Sequence, residues 1–178
     1  MLTNNYWNLI AGMSNMTFVW SNDLDAMEDI GLTDTDGNTL LINPHTTNDY
    51  GSSADIVANW CSRSKISAII GSGDTAPDAT DYCLESDITS SFSNYSVSTV
   101  TSGDGTRVST VMIISGTNGT SSALTIHEIG VVKEITTTTN NNYNHIKKNM
   151  LIVRHVLSSP RTVQPGESFI QPYEWVEN

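Results

Sequence analysis

Polar and apolar positions alternate along most of this chain, and the period is two rather than 3.6. From residue 90 onward the alternation dominates. Phe92 to Val100 sets Tyr95, Val97 and Thr99 on one face. Arg107 to Ile114 sets Val108, Thr110, Met112 and Ile114 on one side, with Val111 and Ile113 on the other. Ala123 to Val132, Met150 to Leu157 and Ser168 to Val176 read as three more strands. Pro172 gives the last of these an edge position or a bulge, because proline cannot donate to a central ladder. The breaks between the runs carry turn chemistry: Gly103-Asp104-Gly105, Asn118-Gly119 as a hairpin signal, then Pro160 and Val163-Gln164-Pro165-Gly166. The Thr/Asn tract from Thr136 to Asn144 reads as an exposed low-complexity loop.

The first half is less regular. Tyr6-Trp7-Asn8-Leu9-Ile10 and Met16-Thr17-Phe18-Val19-Trp20 are apolar and aromatic where a terminus is normally polar, so this stretch is expected to be tied down on its own domain or on a neighbouring subunit. Asn22 to Glu28 has room for a helical turn or two, capped by Ser21 or Asn22. Asp34-Thr35-Asp36-Gly37-Asn38 predicts a tight turn leading into a strand at Thr39-Leu40-Leu41-Ile42. Read instead as a calcium loop, the segment lacks the late bidentate Glu, since Pro44-His45 follows. Residues 52–63 suit a short helix or a strand, and Lys65 to Ile70 a strand ending in Gly71-Ser72-Gly73, followed by a turn-rich loop over residues 74–81. With turns every 8–12 residues and no alternating helices, the pattern predicts an all-β protein. Its expected architecture is an antiparallel β-sandwich, jelly-roll or Ig-like, with an N-terminal docking extension. The expected division is 1–65 for the extension and 66–178 for the sandwich.

Composition sharpens this picture. Thr, Ser and Asn make up 61 of 178 residues, which suits strands and turns and excludes a helical bundle. The net charge of −11 excludes a surface built for nucleic acid or anionic lipid. The acids are concentrated early: residues 1–60 hold eight and no Lys or Arg, which gives a solvated acidic face or a patch for a basic partner or cation. No apolar run reaches the length of a membrane span, and no basic segment leads into an apolar one as in a secretory signal. Cys61 and Cys83 read as buried thiols, with one disulfide between them as the alternative, and neither has a second Cys at zinc-ligand spacing.

Motifs for catalysis fall short one by one. His127-Glu128 opens like a zincin motif, but no second His follows and the segment is a strand; His127 and His155 read as outward strand residues. Gly71-Ser72-Gly73 lacks the Gly-Lys-Ser/Thr of a phosphate loop, and there is no nucleophile elbow. Glu85, Glu128 and Glu134 are the β-region candidates for a glycoside-hydrolysing carboxylate pair, and read first as solvated or salt-bridged.

Three segments carry a resemblance. They are Ile69 to Ile88, with its Gly-x-Gly turn, Thr-x-Pro loop and Leu84-Glu85; Leu124 to Val131, ending in Glu128-Ile129-Gly130; and Met150 to Val156 followed by Thr162-Val163-Gln164-Pro165-Gly166-Glu167-Ser168. In this order they resemble structural proteins of tailed-bacteriophage virions, over residues 66–176. The resemblance implies a non-enzymatic building block. Gly71, Gly73, Pro77, Gly130, Pro165 and Gly166 would be architectural turn and packing positions, Leu84 a core plug, and Glu85 an acceptor for loop amides. It implies a surface-exposed auxiliary protein of the head, neck or tail, assembled in the host bacterial cytoplasm into the virion. Such a subunit would act by homo-oligomerisation and by docking to capsid, neck or tail subunits, with no cofactor, metal, nucleic acid or membrane. Tyr6, Trp7, Leu9, Ile10, Phe18 and Trp20 would form the docking interface. The alternative is a host-surface glycan-binding module of a fibre or spike, using aromatics such as Tyr143 and Trp175. An enzyme would instead need a cleft with two convergent titratable groups.

Overall fold

The computed structural model describes residues 1–8, 30–42, 66–103, 108–139 and 142–177. The described residues are mostly β-strand. Among the described residues eight strands follow in order: β1 (Ile30–Thr33), β2 (Thr39–Ile42), β3 (Ile66–Gly71), β4 (Phe92–Gly103), β5 (Val108–Asn118), β6 (Leu124–Thr139), β7 (Asn142–Val163) and β8 (Ser168–Glu177). β1 and β2 form an antiparallel hairpin; the remaining strands form two three-stranded sheets ordered β3-β6-β7 and β4-β5-β8. The second of these is antiparallel throughout.

Contacts divide the chain into two compact units, each discontinuous in sequence. The first gathers Met1–Ile66, Ala76–Cys83 and Gly130–His155; the second gathers Ser67–Thr75, Leu84–Ile129 and Val156–Asn178. The long strands β6 and β7 contribute to both.

In the second unit, β5 shows the two-residue period most cleanly. Met112 and Ile114 are fully buried, while Val111 and Ile113 are half-exposed on the other side, as their alternation requires. Phe92 and Phe169 join them in the core, ring edge to face with centroids 4.9 Å apart. From β3, β6 and β7 come Ala68, Ile70, Ile126, Ile129 and Val163, all buried. The Tyr95 hydroxyl on β4 donates to the Ala68 carbonyl on β3 at 2.9 Å. A bulge between Ser93 and Ser96 interrupts the β4–β5 register, with Asn94 in the left-handed region (φ 52°).

In the first unit, all four residues of β6 from Gly130 to Lys133 are buried, as are all five of β7 from Met150 to Arg154. Both faces of these strands are therefore covered, and the alternation fades into a continuous apolar run. The chain start lies along β7: Leu2 bridges antiparallel to Val153, Thr3 N–H donates to the Ile152 carbonyl, and Arg154 N–H donates to the Met1 carbonyl. Residues 4–8 turn helical. Residues 1–3 are thus tied to β7, and of the apolar stretches expected to be tied down, residues 9, 10 and 16–20 lie outside the described residues.

Three local expectations are corrected. Asn118-Gly119 does not close a hairpin, because β5 lies between β4 and β8 while β6 belongs to the other sheet. The buried Asn118 side chain caps the crossing instead. Its amide donates to Ser122 O (2.8 Å) and Val163 O (2.9 Å), and its Oδ1 accepts from Thr120 N (2.9 Å) and Oγ1 (2.8 Å). The Thr/Asn tract is not a loop: β6 runs to Thr139 and β7 resumes at Asn142. β-branched threonines favour the extended backbone, and that preference wins over low complexity. Pro160 sits inside β7 rather than in a turn, at an exposed position of an edge strand. Pro172 likewise lies in β8, the edge of its sheet, as expected. The stretches at residues 22–28 and 52–63 lie outside the described residues.

Candidate functional site: a carboxylate latch and an exposed aromatic at the chain start

The first motif segment folds back on itself after β3. Gly71 bridges to Asp87, Ile88 N–H donates to Ile70 O, and Ser72 N–H donates to Ser86 O, so residues 86–88 lie along β3. The loop they enclose is fixed by two carboxylates. Glu85 Oε2 accepts from Thr75 N (3.0 Å) and Thr75 Oγ1 (2.8 Å). This is the amide-accepting role expected of it. Leu84 is 4% exposed and plugs the core, also as expected.

The second carboxylate is Glu128, fully buried on β6. Its Oε1 accepts from Gly73 N (3.2 Å) and Ser86 N (3.1 Å), and its Oε2 accepts from Glu85 N (3.4 Å). The solvated role expected for Glu128 is therefore wrong, because the side chain is fully buried. A signal was present: Ile126 and Glu128 are two apart, so alternation turns Glu128 inward once Ile126 is in the core. The partners could not be read, because backbone amides 42 to 55 residues away leave no mark on composition. Burying a carboxylate is costly unless charge-assisted bonds surround it, and three backbone amides supply them here.

The same group explains the glycines. A Cβ at Gly71 would lie 2.4 Å from Glu128 Oε1 and 2.7 Å from Ser86 O; one at Gly73 would lie 2.4 Å from the Glu85 Cβ. Neither approach is tolerable, so both positions require glycine. The first and second motif segments, 55 residues apart at Gly73 and Glu128, thus meet in one latch. In the third, Gln164 to Glu167 forms the turn before β8, with Glu167 N–H donating to Gln164 O and Gly166 at φ 74°. Pro77 is half-buried in the loop and Gly130 is buried in β6.

Two further polar centres lie in the first unit, both between residues far apart in sequence. Asp34, 1% exposed, ends β1 and organises the hairpin turn: its Oδ1 accepts from Asp36 N (3.0 Å) and Asn38 N (2.7 Å), while Lys148 Nζ sits 2.8 Å from its Oδ2 and 3.2 Å from Asp36 Oδ2. Burial pushes the Asp34 carboxyl up, but the Lys148 and Asn38 hydrogen bonds outweigh it and hold the group down at about 2. A lysine ammonium thus lies against the carboxylates of the segment weighed as a cation loop. Arg154, 3% exposed, reaches Asp81 Oδ2 at 2.9 Å. Among the described residues no group of three or more His, Cys, Asp or Glu is placed to hold a metal ion.

Of the expected docking residues, Tyr6 is half-buried and Trp7 is 55% exposed, with their rings edge to face at 5.3 Å. Leu9, Ile10, Phe18 and Trp20 lie outside the described residues, as do the side chains of Tyr143 and Trp175. The segment behind Trp7 is anchored. Buried Thr3 donates through Oγ1 to Leu151 O (2.6 Å), and buried Asn5 exchanges bonds with Thr33 (2.7 and 2.8 Å). Cys83 is a half-buried thiol, and Cys61 lies outside the described residues. No helix among the described residues is long and apolar enough to cross a membrane. The chain matches no family model, no curated protein and no solved structure.

Proposed function

We propose that this protein is a non-enzymatic structural subunit of a tailed-phage virion, a surface-exposed auxiliary protein of the head, neck or tail that acts by docking and oligomerisation. The observation that carries this reading is the latch. Four of the residues behind the resemblance to virion proteins, Gly71, Gly73, Glu85 and Glu128, hold one another, and we read their work as architectural. We read the parts of the two three-stranded sheets that lie in the second unit as an antiparallel β-sandwich, supported by their buried inward residues and by the Tyr95–Ala68 bond. Such a scaffold displays loops and edges for assembly. Trp7, a large exposed aromatic on an anchored segment, is the side chain that would dock.

The test is incorporation into particles. Antibody against the full chain should label purified virions from cells producing it. The Trp7→Glu variant should melt as the wild type does, since its side chain is mostly in solvent, yet fail to enter particles. Absence of the wild-type chain from particles overturns the virion reading; normal entry of Trp7→Glu overturns the role of Trp7. A truncation from the chain start is a poorer probe, because it also strips Thr3 and Asn5 from Leu151.

A further inference from the structure

Strand edges are where a β protein is open to another chain, and natural folds defend them with proline, charge or a covering segment. Three of the four edges of the two larger sheets carry such a defence. β8 has Pro172, Glu174 and Glu177. β7 has Arg154, Pro160 and Arg161, and residues 1–3 lie along part of it. β3 is covered by residues 86–89, through Ile88 N–H to Ile70 O and Ile70 N–H to Thr89 Oγ1.

The fourth edge is β4. Its twelve residues, Phe92 to Gly103, include no proline and no charged side chain, in a protein of net charge −11. Among the described residues, β5 is its only neighbour in the sheet. Past the bulge at Ser93/Ser96 its register with β5 runs unbroken from Ser96 to Gly103. Ser96, Ser98, Thr99 and Val100 are exposed, Val100 by 62%. On the outer face beside it Val100 stands opposite Val111 and Ser98 opposite Ile113, Ile170 is 63% exposed, and the exposed Glu174 lies one strand further off, opposite Val111.

We infer that β4 pairs edge to edge with β4 of a second copy of this chain, antiparallel about a twofold axis, to give a continuous sheet across the dimer. The occupant follows from charge. An isologous contact sets each patch against itself, so acids meet acids wherever the surface carries them. β4 is uncharged along its whole length, so two copies meet there without like charges opposite one another. With the axis at Ser98, Ser96 of one copy faces the partner's Val100 and the two Ser98 side chains face each other. This inference goes beyond the virion reading and rests on the strand itself.

Ser98 gives a register-specific test on the full-length chain. Sedimentation velocity should show a wild-type dimer. Ser98→Lys places two ammonium groups face to face on the axis and should yield a monomer, with circular dichroism and Tm unchanged because the position is exposed. Mixing Ser98→Lys with Ser98→Glu in equal amounts should restore the dimer as a heterodimer. Ser158→Lys, exposed on β7, should leave the wild-type dimer intact. A wild-type chain that stays monomeric at ~100 μM overturns the inference, as does a Ser98→Lys chain that stays dimeric. Particle incorporation is scored separately, so a monomer that still enters virions removes this inference and leaves the virion reading standing.

Discussion

At the scale of single residues, the strongest constraint in this protein is the space around Glu128. The acid is buried, its oxygens take three backbone amides, and two glycines stand where a side chain would strike it or its neighbour Glu85. Gly71→Val forces a Cβ to within 2.7 Å of the Ser86 carbonyl, a backbone atom that cannot swing aside. Overpacking of this kind costs about 1–3 kcal/mol, which is several degrees of Tm for a chain of this size. Gly31→Ala is the matched control: nothing lies within 4 Å of its Cβ, so its Tm should stay close to wild type. A calorimetric comparison checks both, and equal melting of Gly71→Val and wild type would mean the latch yields. The need for glycine at residues 71 and 73 was legible from the Gly-x-Gly turn. The reason for it was not, because the atoms that forbid a side chain belong to Ser86 and Glu85, brought back along β3, and to Glu128, more than 50 residues away.

At the scale of elements, what could be read depended on how local the determinants were. The β1–β2 turn is encoded within five residues. Asp34 caps it, Gly37 takes φ 85°, and β2 begins at Thr39 as the Asp-Gly signal predicts. β3 and β8 likewise lie within a residue of their sequence boundaries. Asn118-Gly119 failed because a hairpin needs its second strand beside the first, and that depends on β8 taking the place next to β5. The turn at Asp34 also has a non-local tie, the ammonium of Lys148 on β7. Its pH dependence follows from sign. The Asp34 carboxyl lies at about 2 in the folded chain against 3.8 ordinarily, so the stability it supplies is complete above 3.8 and is lost as pH falls through about 2. Asp34→Asn can keep an acceptor toward the turn amides but loses the charge facing Lys148. The variant should melt below wild type at neutral pH, and the gap should close between pH 4 and pH 2. A gap that does not change over that range would assign the effect to the turn amides alone.

At the scale of the whole molecule, charge looks different once the chain is folded. Along the sequence the acids crowd into the first 60 residues. In the two units, eleven acids and six bases fall in the first, and eight acids and two bases in the second. Lys148, late in the chain, pairs with Asp34 and Asp36, early in it, and the asymmetry of the sequence is not repeated between the two units. Each unit remains net negative, which sets the electrostatics of self-association. Two copies of charge −11 repel at long range, and an uncharged β4 contact has no ion pairs with which to offset that repulsion. Salt therefore acts in one direction only. Raising ionic strength from ~0.01 M to ~0.1 M shortens the screening length from about 30 Å to about 10 Å, weakening repulsion while leaving backbone pairing untouched. The dimer should tighten with added NaCl, read as a falling dissociation constant by sedimentation equilibrium. A dimer that loosens with salt would be held by ion pairs, and the contact would then have to involve charged side chains, which β4 does not carry.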